Sequence, residues 1–211
     1  MYKRWLAVLL LVFCSAACES EPTKIVLFDQ YYYGMPFKEV QERSQSVYCK
    51  DNLDNLCRPN PVPFFKESWY QRFLFRRERL IAVQLISQTP DKVQPLINNW
   101  LDSGYRFMPV SMTSGGKQLD LLAAIKTSGK EGARKAVHSF TRATAQDLQT
   151  VYLYLDVLGK EDVLNAFPSF RALLKSGPRD IVGIEQMVNE KEIIVSFIAP
   201  IAEWQDKGVP R

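Results

Sequence analysis

The chain of 211 residues is short of the groups that carry out chemistry. It has one histidine, His138, which falls with Arg134 and Arg142 on the polar face of its helix. A general base needs a positioned partner and a pocket, so this is read as a surface histidine. No Gly-x-Ser-x-Gly elbow is present to offer a serine nucleophile. Two glycine turns lie next to lysines, Ser114-Gly115-Gly116-Lys117 and Ser128-Gly129-Lys130. The following residues are Gln118 and Glu131, where a phosphate loop needs Ser or Thr for magnesium. Glu161 and Asp162 sit in the first turn of a helix, where the helix dipole favours negative charge without catalysis. Long apolar runs are missing as well, because Leu6 to Phe13 falls well short of the roughly 20 residues that cross a bilayer. So is a strong excess of charge: losing Lys3 and Arg4 with the leader described below lowers the formal net charge from +4 to +2. These shortages speak against an enzyme, a bound cofactor, a spanning helix and a nucleic-acid partner.

What is present begins at the N-terminus. Lys3 and Arg4 precede the apolar run, which ends in the small residues Ser15, Ala16 and Ala17, the order of a secretory signal peptide over residues 1 to 17. The Ala17-Cys18 step resembles a bacterial lipobox, with Ser15 where Leu is commonest and Cys14 as a second departure. Removing the leader takes Cys14 away and leaves Cys18, Cys49 and Cys57, an odd number in an oxidising compartment. Lipid on Cys18 would let the other two pair, whereas plain secretion would leave Cys18 as a free or intermolecular thiol. Lipidation of Cys18 is the expectation, and diacyl plus N-acyl chains are enough hydrophobic signals for stable anchoring. The protein is therefore expected in a bacterial cell envelope, held to the inner or outer membrane and facing the periplasm.

Residues 18–24 are short and polar and read as a tether. The whole chain is 46% hydrophobic and 24% charged, the composition of a globular protein. Ile25 to Phe28 reads as a strand. Phe37, Val40, Ser44, Val47 and Tyr48 recur at helical spacing and predict a helix that delivers Cys49 at its end. The polar loop between Cys49 and Cys57 would be closed by a disulfide, contributing about 2.6 kcal/mol on the chain-entropy account. Two cysteines so spaced with no nearby histidine match zinc sites poorly, so no metal is expected. Trp69 to Phe75 and Leu80 to Ile86 predict a hairpin around Arg76-Arg77-Glu78-Arg79. That basic tip is of the kind that meets lipid phosphates, although Glu78 interrupts the charge and favours a solvated turn. Helices are predicted over 89–104, interrupted by Pro95, over 130–144, and over 161–175, interrupted at Pro168. Strands are predicted over 105–112, 117–125 and 151–155, with a final hairpin of 181–188 and 192–198. The pattern implies an α+β fold, an antiparallel sheet with helices packed on one face. Two similar lobes are possible on this reading, residues 25–104 with the disulfide loop and residues 105–211.

Gly34-Met35-Pro36-Phe37-Lys38-Glu39-Val40, followed by the Trp-led hairpin, resembles the small SmpA/OmlA (BamE-type) envelope lipoproteins over residues 25–88. Pro36 stands where that family has Ser or Thr, and the Cys49 to Cys57 loop is additional. The resemblance implies an accessory protein that binds a larger envelope assembly without catalysis, with Gly34, Met35, Glu39 and Val40 in structural roles. The residues point the same way, because Tyr31-Tyr32-Tyr33, Phe64-Phe65 and Trp69-Tyr70 cluster aromatics outside the clear helical stripes. Tyr31, Tyr32, Tyr33, Trp69, Arg76, Arg77 and Arg79 are the candidate interface, since aromatic and arginine anchors are typical of such surfaces; capping of a small core is the other use for the rings. The expected function is thus binding or scaffolding by a lipid-anchored envelope protein. The alternative is a soluble periplasmic inhibitor or small-ligand carrier. A cell-wall or glycan enzyme with paired carboxylates is a third reading, which requires a cleft with convergent acids.

Overall fold

The computed structural model describes residues 23–102, 106–147 and 149–207. The leader and Cys18 lie outside the described residues. In chain order the elements are β1 (Val26–Phe28), β2 (Tyr31–Tyr32), α1 (Phe37–Ser44), β3 (Val47–Tyr48), β4 (Leu56–Cys57), β5 (Val62–Phe64), β6 (Glu67–Arg76) and β7 (Arg79–Ser87). There follow α2 (Pro90–Asp102), β8 (Phe107–Ser114), β9 (Lys117–Asp120), α3 (Leu121–Ala143), β10 (Thr150–Asp156), α4 (Glu161–Asn165), α5 (Phe170–Ser176), β11 (Gly183–Val188), β12 (Ile193–Ile198) and α6 (Pro200–Lys207).

The fold is α+β, as expected. Nine strands form one antiparallel path, β3-β4-β6-β7-β12-β11-β10-β8-β9, with β5 paired to β6 beside it, and β1 and β2 form a small separate ladder. The two halves of the chain meet inside this sheet. Ala82 to Ser87 of β7 pair with Ile198 to Ile193 of β12, so the last strand completes the sheet begun by the first hairpin.

Strand alternation sends apolar side chains to both faces. Val83 and Leu85, with Val195 and Phe197, join one core together with Trp69, Phe73, Val40 of α1 and Val93, Ile97 and Leu101 of α2. Ala82, Leu153, Leu155 and Ile198 join a second core with Leu122 of α3, Leu164 of α4, Phe170 and Leu173 of α5, and Ile201 of α6. The helices α1 and α2 thus pack on one face and α3, α4 and α5 on the other, while α6 reaches both cores through Ala202 and Ile201.

Three local expectations change, each for a visible reason. The first helix stops at Ser44, because Gln45 takes a left-handed conformation (φ 54) and Val47–Tyr48 become a strand instead of a further turn. The strand expected over 117–125 stops at Asp120, whose carboxylate caps two helices at once. Its Oδ1 accepts from the Ala123 amide at 2.8 Å and its Oδ2 from the Phe170 amide at 2.9 Å, starting α3 and α5. Inside α3, Gly129 has φ 67 and breaks the helical path, a conformation that glycine adopts without steric cost.

Candidate functional site

The candidate residues of the basic hairpin are set by its backbone. Arg77 and Glu78 both have positive φ (49° and 59°), the two-residue turn that matches strand twist. The pairing of β12 with β7 ends at Ala82, leaving the start of β7 free on that side. The segment before α1 takes the free edge. The Gly34 amide donates to the Leu80 carbonyl (2.8 Å), Leu80 to Met35 (2.9 Å) and Phe37 to Glu78 (2.9 Å). Gly34 needs its φ of 81 for this path, and Met35 and Val40 are fully buried.

The disulfide loop closes the other side of the tip. Cys49 and Cys57 are bonded, with Cα atoms 5.0 Å apart. Asn55 Oδ1 accepts from the Phe75 amide (3.4 Å) where β6 bulges, and Arg72 donates to Asp51 (2.8 Å). Thus tied down, the loop brings Tyr48 and Leu53 beside Phe37 and Phe75. Phe37 stacks on Tyr48 at 5.7 Å and meets Phe75 at 4.7 Å. These side chains, with Lys38, Arg77, Glu78 and Arg79, line an open cleft of about 890 Å³. Leu53 is 71% and Tyr48 54% exposed.

Two of the expected interface residues are elsewhere. Tyr31 and Trp69 are buried in the first core, at 2% and 0% exposure, and present no surface to a partner. The cause is strand parity, since Trp69, Gln71 and Phe73 share the inward face of β6. The Trp69 indole donates to the Phe64 carbonyl at 2.9 Å, and Tyr31 packs edge-on against Phe73 at 4.7 Å. The others do come together at the tip. Tyr32 donates to Glu39 (3.1 Å) with the Lys24 ammonium 4.9 Å from its ring centre; burial and then Glu39 push its phenol up. Tyr33 donates to Asp206 (3.0 Å), and burial first, then this bond, holds its proton above the usual phenol range. Arg76 pairs with Glu203 at 2.6 Å. Arg77 and Arg79 are exposed and, among the described residues, form no ion pair; Arg79 donates to the Gly34 carbonyl at 3.3 Å. His138 is exposed and lies 3.1 Å from the Arg142 guanidinium.

A second surface was not foreseen. By register, Arg72, Gln84, Ser196, Glu185, Leu153 and Ser111 form one row across the second face of the sheet. The next row is apolar: Tyr70, Ile86, Ile194, Met187 and Val151. Phe170 and Leu174 of α5 and Pro200 and Trp204 of α6 wall a pocket of about 180 Å³ over Glu185. Burial raises the Glu185 carboxyl above its ordinary range, Glu203 adds to the rise, and Lys207 opposes it. Glu203 stands on the same wall, paired with Arg76 and with Lys207 at 3.0 Å. Tyr70 is 48% and Trp204 43% exposed. Only the odd parity of Glu185 between the inward Ile184 and Gln186 marks it in the sequence, and that needs the register to be known.

No protein family, curated protein or solved structure matches this chain. Among the described residues, no helix is long and apolar enough to cross a membrane, and no group of three or more His, Cys, Asp or Glu residues is placed to hold a metal ion.

Proposed function

We propose that this chain is a non-catalytic envelope protein, anchored by lipid at Cys18 and facing the periplasm, that works by binding another envelope protein. The observation that carries the binding reading is the half-open groove on the second face of the sheet. Trp204 stands exposed on the wall of a pocket that Glu185, Val151 and Leu153 also line, and the adjoining row of the same face runs from Val151 through Met187, Ile194 and Ile86 to the exposed Tyr70. Exposed aromatics beside an apolar row suit an interface hot spot, and the Glu185 carboxylate, which has no ion pair among the described residues, suits a Lys or Arg side chain delivered by a partner. The pocket over Glu185, at about 180 Å³, is smaller than the roughly 300–1,000 Å³ of small-molecule sites, which favours a side chain from a partner over a small ligand at this place. The resemblance of residues 25–88 to envelope accessory lipoproteins supports the same reading.

The test places a photocrosslinking residue at Trp204 or Tyr70 in intact cells and, as a control, at Leu96, which is exposed on α2. One discrete protein adduct from the first two positions and none from the third is expected; equal labelling from all three would remove the groove as the binding face. Mass spectrometry of the mature N-terminus addresses anchoring separately, and an unmodified Cys18 would end that part.

The glycan-enzyme reading has one observation in its favour, since Glu185 and Glu203 line the same pocket. In it Glu185, whose carboxyl burial raises above its ordinary range, would be the acid; Glu203 is already engaged by two cations. Release of sugar fragments from purified peptidoglycan by the wild type and not by E185Q would establish it. No release by either would dismiss it.

A further inference from the structure

We propose that the tip of the β6–β7 hairpin, with the start of α1 and the disulfide loop, rests against an anionic bilayer surface. The geometry rests on anchoring at Cys18, although the surface chemistry stands without it. Thr23 is five residues beyond Cys18, and an extended chain spans at most about 3.3–3.6 Å per residue, so the lipid would lie within about 17 Å of Thr23.

That point of departure is at the hairpin tip. The Tyr33 amide donates to the Ile25 carbonyl (2.8 Å), and the next residue, Gly34, donates to Leu80 of the hairpin (2.8 Å). The Lys24 ammonium sits over the Tyr32 ring, and the Arg79 charge acts on the Tyr32 phenol. A lipid at the end of so short a tether brings this end of the molecule to the membrane before any other.

The end so placed has the chemistry of an interfacial surface. Lys24, Lys38, Arg77 and Arg79 are gathered there. The carboxylates facing them are Glu39, already bonded to Arg43 at 2.7 Å, Asp206, already bonded to Arg179 at 2.9 Å, and Glu78 and Asp54 on the cleft rim. Tyr48 and Leu53 stand out of the same rim, an aromatic and an aliphatic side chain at the level where headgroups meet acyl chains. Each basic residue next to an anionic surface raises affinity about fivefold, within a Debye length of roughly 10 Å at moderate salt. The orientation holds the Tyr70 end of the sheet face away from the lipid, while the Glu203 wall of the groove, bonded to Arg76, stands nearer the tip. Tyr70 is six residues from Arg76 along β6, roughly 20 Å at about 3.3 Å per residue.

The experiment uses the mature chain with Cys18→Ser, which carries no acyl group, and vesicles of phosphatidylcholine alone or mixed two to one with phosphatidylglycerol. Co-sedimentation at low ionic strength is expected with the anionic vesicles only, and added salt releases it. R77E/R79E is expected to weaken binding at least about tenfold. K130E/K135E makes the same change in net charge on exposed positions of α3, which packs at the β8–β9 edge, and is expected to bind as the parent does. Unchanged unfolding transitions establish that the variants are folded. Equal loss from the two pairs, or indifference to anionic lipid, overturns the proposal. A tip that ignores vesicles and crosslinks to a protein in cells is a protein interface and overturns it too. The N-terminal mass reads anchoring independently, so the tip can fail with Cys18 lipidated, or hold with Cys18 bare.

Discussion

On one face of the sheet a network of rings is packed in among the aliphatic side chains of the core, and on the other the core is almost wholly aliphatic. Phe64 alone meets Phe28, Phe65, Trp69, Trp100 and Phe197 at centroid distances from 4.4 to 6.2 Å, which ties β1, β5, β6, α2 and β12 together. Among the described residues the second core has Phe170 as its one buried ring, with Leu122, Leu155, Leu173, Ile181 and Ile201 around it. The difference follows from the elements each must hold. β1, β2 and β5 have two or three residues and few ladder bonds of their own, so large rings must supply their attachment. The helices of the second face satisfy their backbones internally, or through caps such as Asp120, and need only an apolar stripe.

The largest expected effect tests that contrast. Trp69→Ala removes a fully buried ring and its indole hydrogen bond and should cost about 3–5 kcal/mol in urea unfolding. Leu173→Ala, equally buried on the other face, should fall toward the lower part of the roughly 2–5 kcal/mol range for such a truncation. If Leu173→Ala proves the more damaging, the rings are not the dominant hold.

The same contrast explains what was legible in the sequence. The hairpin around Arg77-Glu78 and the Cys49–Cys57 crosslink could be read, because turn chemistry and strand alternation are local. Tyr31 and Trp69 were read as interface because the rings have no helical period. Their burial depends on which face of β6 is inward and on β1 and β2 folding over it, and neither is local. Lys117 to Ile125 looked like one strand because apolar residues continue past Asp120, and the double capping by that carboxylate involves a helix fifty residues away. The Glu185 groove needed the register of five strands before its neighbours could be known.

A middle-sized effect sharpens the comparison within the ring face. Replacing Cys49 and Cys57 by Ala should lower stability by about 2.6 kcal/mol on the chain-entropy account. Because Asn55 and Asp51 tie the loop to β6, faster amide exchange is expected over 47–57 and at Phe75, with α5 and α6 unaffected. Uniform acceleration across both faces would mean that the crosslink stabilises the whole fold and not the tip.

The smallest effect belongs to the aliphatic face, and it is a matter of sign. Glu185 has a folded-state pKa raised above its ordinary value of 4.5, first by burial and then by Glu203. The folded protein therefore holds that proton more tightly than the unfolded chain does. Ionised Glu185 is a cost to folding above the folded-state pKa, and the cost disappears as pH falls below the ordinary carboxylate range. E185Q should accordingly raise stability at neutral pH, by less than the disulfide contributes, and should match the wild type in acid. Lys207→Met should enlarge the cost, because Lys207 is the charge that opposes the rise. If E185Q lowers stability at neutral pH, the carboxylate has a folded-state partner that offsets its burial. If it raises stability as expected, an unpaired carboxylate in an apolar groove is maintained against the stability of the free protein, and a cation brought by a binding partner would reverse that cost.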